Sequence, residues 1–134
     1  MVGVVVATHG KLGEELVRTA EAVVGPLPRI RSLGVVASEP DVRGQLGQAI
    51  DAMEEGQGVL VLTDLFGGSS TNLCLSFLEE RHVEVITGVN LPMLLKLTSL
   101  RRDGVTLDTL ARELTASAQQ SIFLVSEKLR ARRA

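Results

Sequence analysis

The chain alternates short, densely apolar runs with longer segments in which apolar residues recur every three or four positions. Residues 2–7 and 59–62 are rich in Val, Leu and Ala, a composition typical of strands that are buried on both faces of a sheet. Weaker strand patterns cover residues 30–36 and 83–87. Because helical segments separate these runs, the pattern predicts an α/β fold.

Helical spacing predicts five helices between and after the strands. The first is expected to end before Gly25-Pro26, a pair that stops helices. The second follows Ser38-Glu39-Pro40-Asp41, which is typical of a helix start. The apolar positions place the helices over residues 12–23, 42–53, 72–78, 91–100 and 107–118.

Parallel strands that are joined by right-handed helical crossovers form a doubly wound sheet with helices on both faces. We predict the strand order 2-1-3-4, in which the first strand lies beside the third. Residues 122–125 are expected to form a fifth, antiparallel edge strand, and a helical continuation is the alternative. We assign residues 1–126 to one domain and residues 127–134 to a basic, frayed C-terminal tail.

Composition narrows the classes of function. Of the 134 residues, 45% are apolar and 2% aromatic, and the formal net charge is −2, which argues against a nucleic-acid partner. The single cysteine, Cys74, cannot form an internal disulfide, and one cysteine with two histidines is too few for a structural zinc site. We expect no metal and no cofactor. We also expect no membrane insertion, since no apolar stretch reaches about 18 residues. These features predict a cytoplasmic protein.

One histidine and one aspartate follow the two strands that are expected to lie side by side in the sheet. His9 comes directly after the first strand and Asp64 directly after the third. Ligands of doubly wound sheets bind at the carboxyl ends of the strands, where the strand order reverses. The topology therefore predicts that His9 and Asp64, 55 positions apart, meet at one edge of the sheet.

A histidine beside a carboxylate suits nucleophilic chemistry on phosphorus. A neutral imidazole has one ring nitrogen free to attack. A carboxylate on the other nitrogen fixes the tautomer and stabilises the positive charge that develops. We therefore predict that His9 and Asp64 are catalytic, and a merely hydrogen-bonded histidine at a strand end is the alternative.

A glycine-rich turn, Gly67-Gly68-Ser69-Ser70, precedes the third predicted helix. Glycines let a ligand approach the backbone closely, and the amides of a helix start favour an anion. Gly67, Gly68 and Ser69, together with Thr8, are therefore predicted to contact a phosphoryl group. A helix cap in an ordinary turn is the alternative. The turn is not a P-loop, because no Lys follows in the required spacing.

Leu65, Phe66 and Asn90 are predicted to form a surface for a partner protein, since they follow strands at the same edge of the sheet. Burial of Phe66 and helix capping by Asn90 are the alternatives. His82 precedes the fourth strand, at the opposite edge, and is interpreted as a surface residue. Cys74 lies in the apolar pattern of a helix and is interpreted as a buried, unreactive thiol.

Three segments together resemble the IIA component of the mannose-type sugar phosphotransferase system. They are Thr8-His9-Gly10, Leu62-Thr63-Asp64-Leu65-Phe66-Gly67-Gly68-Ser69 and Gly88-Val89-Asn90-Leu91-Pro92-Met93, which follow the first, third and fourth strands. The resemblance extends from residue 1 to about residue 125. Ser70 stands where many members of the family have Pro, and Phe66 where some have Trp.

The resemblance implies that His9 accepts a phosphoryl group from the phosphocarrier protein HPr and passes it to a IIB component. It also implies that Asp64 orients the imidazole and that the segment Gly67-Gly68-Ser69 surrounds the phosphoryl group. The resemblance further implies a homodimer in which a C-terminal strand joins the partner's sheet, and residues 122–125 are the candidate for that strand. The role is expected to lie in sugar uptake or its regulation.

Two other functions are compatible with the sequence. In a regulatory module without a transport role, the phosphorylation state of His9 controls protein partners. In a receiver-like signalling domain, Asp64 itself is phosphorylated. A receiver needs further acidic residues after the first strand to hold magnesium, and His9 stands there instead.

Overall fold

The computed structural model describes residues 1–36, 41–64 and 69–133, with the side chains of residues 69–74 outside the description. Within these ranges the strands are β1 (Gly3–His9), β2 (Ile30–Val35), β3 (Val59–Thr63) and β4 (Val83–Ile86). The helices are α1 (Leu12–Val24), α2 (Val42–Met53), α3 (Ser69–Glu80), α4 (Leu91–Leu100), α5 (Leu107–Gln119) and α6 (Val125–Arg133).

The four strands form one parallel sheet in the order β2-β1-β3-β4, which confirms the predicted fold class and order. β1 lies in the middle, with His9 opposite Val35 of β2 and Ala7 opposite Thr63 of β3. Because all strands run the same way, the residues that follow β1 and β3 lie at the same edge. We call this edge the carboxyl edge and the opposite one the amino edge.

Alternation along the central strands divides the core into two layers. Val4, Val6, Leu60 and Leu62 face a layer that includes buried residues of α1, α4 and α5. Their neighbours in sequence face the other way and pack with buried residues of α2 and α3; these neighbours are Val5, Ala7, Val59 and Val61. Helices therefore cover both faces of the sheet, as predicted.

Several helix ends have the caps that the sequence predicts. Asn90 begins α4, and its Oδ1 accepts a hydrogen bond from the Met93 N–H at 2.9 Å. Asp41 caps α2 in the same way, whereas residues 38–40 of that predicted start lie outside the described residues. Gly25, with a φ of 87°, ends α1. None of the helices in the described ranges is long and apolar enough to cross a bilayer.

A cation–π contact of Arg43 joins α2 to α3, and Arg81, directly after α3, contacts the same ring. The buried Phe77 ring lies 4.9 Å from the guanidinium carbon of Arg43 and 5.3 Å from that of Arg81. Arg43 also forms an ion pair with Glu80 at 2.8 Å. The contacts of Arg43 hold α3 against α2, and α3 begins at Ser69, shortly after the carboxyl end of β3.

The expected C-terminal edge strand is not formed within this chain. Residues 122–124 have no regular secondary structure, and α6 begins at Val125, so the alternative of a helical continuation describes the segment better. A strand is stable only along another strand, whereas Glu, Lys, Leu, Arg and Ala favour the local hydrogen bonds of a helix. For the same reason the tail that was expected to fray is helical as far as Arg133.

Candidate functional site

The carboxyl edge of the sheet brings His9 and Asp64 together. His9 is the last residue of β1, and Asp64 directly follows β3. The His9 Nδ1 lies 3.0 Å from the Asp64 Oδ2 and 3.3 Å from the Oδ1. The backbone N–H of His9 also donates to the Asp64 Oδ2, at 3.1 Å. The carboxylate therefore holds both the main chain and the ring of His9.

This contact determines which ring nitrogen of His9 is free. An ionised carboxylate only accepts hydrogen bonds, so the proton of the neutral imidazole lies on Nδ1. The lone pair is then on Nε2, and the His9 side chain is 56% exposed. Nε2 is thus the nitrogen that is able to react with a group arriving from outside the protein.

Asp64 is kept ionised by its partner. Its side chain is only 18% exposed, and desolvation raises its pKa. The hydrogen bonds from the ring and the backbone N–H of His9 act in the opposite direction and prevail, so the pKa of Asp64 lies below its ordinary value. Both carboxylate oxygens contact His9, which leaves Asp64 poorly placed as the phosphorylated residue of a receiver-like domain.

Thr8 lies beside His9 but is directed into the protein. It is 1% exposed, and its hydroxyl accepts a hydrogen bond from the Gly13 N–H at 2.6 Å. The same hydroxyl donates to the His9 carbonyl oxygen at 3.3 Å. Thr8 therefore supports the turn after β1, and a contact from Thr8 to a phosphoryl group stays a prediction.

Asn90 lies after β4 and caps α4, which agrees with the capping role given above as the alternative for this residue. Its Nδ2 also donates to the Gly88 carbonyl oxygen at 3.3 Å. With its amide engaged in both directions, Asn90 shapes the surface at this edge through the start of α4. Its predicted contact with a partner protein stays a prediction.

Four of the predicted site residues, Leu65, Phe66, Gly67 and Gly68, lie outside the described residues. Ser69 is the first residue of α3, and its side chain lies outside the description, as does that of Cys74. The exposed His82 precedes β4 at the amino edge, away from His9, as predicted. Across the described part of the chain, no group of three or more His, Cys, Asp or Glu residues could hold a metal ion.

Sequence reasoning missed two glycines that touch the turn after His9. A side chain on Gly34 of β2 would meet the Gly10 carbonyl, and a side chain on Gly13 would meet the Thr8 hydroxyl. Neither glycine lies in one of the three segments of the resemblance. Only the pairing of β2 with β1 brings Gly34 to the site, so no local signal identifies it.

Comparison with known proteins gives a consistent family. A family model described as the PTS (phosphotransferase system) fructose IIA component matches residues 3–115. The chain is similar to the PTS system fructose-specific EIIA component of Bacillus subtilis, with 31% identity over 132 residues that cover 96% of this chain and 90% of that protein. A crystal structure of the PTS IIA protein associated with the fucose utilization operon of Streptococcus pneumoniae is 35% identical, with a TM-score of 0.79. That match covers 96% of this chain and 99% of the solved one.

A longer relative matches over one part of its length. The chain is 28% identical over 130 residues to the PTS system mannose-specific EIIAB component of Escherichia coli. The match covers 95% of this chain and 40% of that protein, so the chain spans about two fifths of this relative. Because the family model matches most of the chain and the Bacillus protein aligns with nearly all of it, the chain belongs to the mannose- and fructose-type IIA component family of the sugar phosphotransferase system.

Proposed function

We propose that the protein is a phosphocarrier whose His9 accepts a phosphoryl group on Nε2 from HPr and transfers it to a IIB component. The observation that carries the proposal is the contact of 3.0 Å between the His9 Nδ1 and Asp64. It leaves Nε2 as the free nucleophile on a ring that is 56% exposed. Membership of the IIA family supports a role in the sugar phosphotransferase system.

The transfer is an in-line exchange between two nitrogens. The Nε2 lone pair of His9 attacks the phosphorus of the donor phosphohistidine. The new Nε2–P bond forms as the donor N–P bond breaks, and the donor imidazole leaves with that electron pair. His9 keeps its proton on Nδ1 and becomes a positively charged phosphoimidazole. The reverse sequence, with a IIB nucleophile, returns the ring to neutrality.

Asp64 does its work in this step through charge and orientation. The ring gains a positive charge as the Nε2–P bond forms, and the ionised carboxylate at Nδ1 offsets it. The pKa of Asp64, which lies below its ordinary value, favours the ionised form near neutral pH. A further hydrogen bond, donated by the His9 backbone N–H, fixes the carboxylate relative to the main chain of His9, so that the carboxylate stays in place to orient the ring.

The phosphoryl oxygens need donors beside Nε2. We propose the backbone amides of Gly67, Gly68 and Ser69, together with the Ser69 hydroxyl, for this role. α3 begins at Ser69, five residues after Asp64, and exposed amides at a helix start favour an anion. The partial positive charge there adds to the protonated Nδ1 edge in stabilising the transferred group.

Partner proteins must reach Nε2 directly, so they dock over the carboxyl edge. Two exposed apolar residues flank His9, Leu12 at the start of α1 and Val36 after β2, at 47% and 44% exposure. We propose that they extend the predicted partner surface of Leu65, Phe66 and Asn90. A small, partly apolar patch is typical of transient complexes, which is what successive carrier steps require.

The proposal is tested by transfer of labelled phosphate from phosphoenolpyruvate through enzyme I and HPr. The wild-type protein is expected to take up one acid-labile, alkali-stable phosphoryl group per chain, whereas His9→Ala takes up none. His82→Ala, which removes the other histidine at the amino edge, is the matched control and is expected to be labelled normally. Label that persists on His9→Ala would overturn the assignment.

We further propose that the protein is a homodimer in which residues 122–125 pair with β4 of the partner. β4 is the last strand of the sheet order and borders a groove of about 520 Å³ that Ile122 also lines. Ile122 is 80% exposed and Leu124 is 62% exposed, which is unfavourable unless another surface covers them. In light scattering, the wild-type protein is expected to have the mass of a dimer and the double variant Ile122→Asp, Leu124→Asp that of a monomer. A variant that is still dimeric would contradict the proposed pairing of residues 122–125 with β4 of the partner.

A further inference from the structure

The turn that presents His9 is fastened to β2. Gly10 follows His9 and has a φ of 53°, in the left-handed region that glycine tolerates best. Its N–H donates to the Val35 carbonyl oxygen at 3.2 Å. The amide of Gly10 is thereby fixed on β2, and the chain turns from there towards α1.

Gly34 lies directly under this turn. Thr8 is its register partner on β1, and the Gly10 carbonyl packs over it. A Cβ on Gly34 would lie 2.5 Å from the Gly10 carbonyl oxygen, whereas real Cβ atoms come no closer than 3.0 Å. Any side chain at position 34 therefore requires the Gly10 peptide and β2 to separate by about half an ångström. The obstacle is backbone, so no side-chain rotation relieves it.

Thr8 fastens the other side of the same turn. Lys11 occupies the N-cap position of α1 and makes no side-chain cap hydrogen bond. The Gly13 N–H in the first turn of α1 instead donates to the buried Thr8 hydroxyl at 2.6 Å. This hydrogen bond satisfies an N-terminal amide of α1 in place of an N-cap side chain, and it closes the loop over residues 9–12. A larger residue at position 13 would press on the hydroxyl, since a Cβ there would lie 3.0 Å from it.

We propose that Thr8 and Gly34 are positioning residues for His9, which rests on the proposed function. Neither contacts Nε2, but together they hold the turn that directly follows His9. Asp64 holds His9 from the end of β3, and Thr8 joins the turn to α1. Gly34, which has no side chain, lets the turn pack directly on β2. The position of Nε2 relative to an incoming phosphorus is set by all three sides.

Gly34→Ala tests the β2 side of this arrangement. We expect phosphorylation per folded molecule to slow about tenfold, because displacement of a nucleophile by a fraction of an ångström is costly in a transfer step. Gly3→Ala is the matched control: it crowds a backbone carbonyl of Met53 even more closely, but on the neighbouring strand β1 and at the amino edge. It is expected to lower the melting temperature and to keep the rate within about twofold of wild type.

Thr8→Val and Thr8→Ser test the α1 side. Valine has nearly the shape of threonine but no acceptor, so the Gly13 N–H loses its partner and the turn loosens. We expect Thr8→Val to slow phosphorylation about tenfold, and Thr8→Ser, which keeps the hydroxyl, to recover it to within about threefold. A role in packing alone would make serine the more harmful change, because it deletes a methyl group from a buried site.

The ring signals of His9 in nitrogen-15 NMR provide a readout that does not require phosphate. Gly34→Ala and Thr8→Val are expected to shift the His9 Nδ1 and Nε2 signals, whereas His82, at the amino edge, serves as the internal reference. Unshifted His9 signals in folded Gly34→Ala and Thr8→Val would overturn the positioning role. A wild-type protein that takes no phosphate from phospho-HPr would instead overturn the proposed function, while the spectra still decide the positioning of the ring.

Discussion

The two edges of the sheet use polar groups in opposite ways. At the amino edge, Arg101 is 5% exposed, and its guanidinium donates to the carbonyl oxygens of Val2 and Arg29, both at 3.1 Å, and of Pro28. At the carboxyl edge, His9 and Asp64 form one contact pair, with the ring largely in solvent. At the amino edge, the charge of Arg101 binds three carbonyl groups of two chain segments, whereas the carboxyl edge leaves the Nε2 of His9 exposed.

Under the proposed function, the fold places a stabilising charge at one edge of the sheet and its nucleophile at the other. Burial and the nearby Arg29 lower the pKa of Arg101 to about 10, so the guanidinium is still charged at neutral pH. A buried guanidinium that donates to three backbone carbonyl groups is held by the protein itself and is poorly placed to bind a ligand. His9 has the opposite balance, because Asp64 satisfies one ring nitrogen and leaves the other free.

The largest effect is expected from breaking the carboxyl edge with Asp64→Asn. The carboxamide can still accept from Nδ1, but it carries no charge to offset the positive ring of the transfer step. Phosphorylation of His9 is expected to fall by about 10³-fold, in line with removal of the orienting carboxylate from other histidine mechanisms. The rate of labelled phosphate uptake measures this. Asp51→Asn, which removes the carboxylate that pairs with Arg81 on the surface, is the control and should transfer normally.

A rate for Asp64→Asn within a few-fold of wild type would mean that the carboxylate is dispensable for transfer. The two edges would then differ only in exposure. Thermal unfolding of the same variant separates chemistry from folding, since an effect on rate with little change in melting temperature belongs to the transfer step.

Breaking the amino edge is expected to do the reverse. Arg101→Met leaves the carbonyl oxygens of Val2, Pro28 and Arg29 without their donor, which lowers the free energy of unfolding by about 3 kcal/mol. Urea titration measures the loss. Phosphorylation per folded molecule should be unchanged. Arg102→Met is the matched control: this exposed neighbour pairs with Glu113 at 3.3 Å, and the change should cost less than about 1 kcal/mol.

An Arg101→Met protein that is as stable as wild type would show that the amino edge is not held by its guanidinium. A slower phosphoryl transfer per folded molecule in Arg101→Met would show that the amino edge also affects the reaction at the carboxyl edge.

The smallest expected effect is the pH dependence of the stability that Asp64 contributes at the carboxyl edge. Because the pKa of Asp64 in the folded protein lies below its value of about 3.9 in an unfolded chain, its contribution to stability is present above that value. The contribution is lost as the pH falls through the folded pKa. The stability difference between wild type and Asp64→Asn should therefore shrink between about pH 5 and pH 2.

Urea titrations across this range, with Asp103→Asn as an exposed control in the turn before α5, measure that trend. A difference between wild type and Asp64→Asn that grows on acidification has the wrong sign and would refute the assigned direction of the pKa shift.

Local pattern was enough to place most of the fold. The apolar runs, the helical spacing and the helix-start residues Asp41 and Asn90 predict elements that the structure contains. The rule for parallel sheets then brings His9 and Asp64 to one edge. These features depend on neighbouring residues and on general rules of chain topology, which a single sequence carries.

Other features required the three-dimensional arrangement. The Thr8 hydroxyl points inward, Gly34 must be bare, and Arg101 is buried beside an exposed Arg102, yet nothing in the adjacent sequence distinguishes these residues. Within the single chain, residues 122–124 also form no strand, although the pattern alone favoured one there. Each depends on distances between segments that are far apart in the chain. Such distances are determined by packing, and a periodic pattern along the sequence does not contain them.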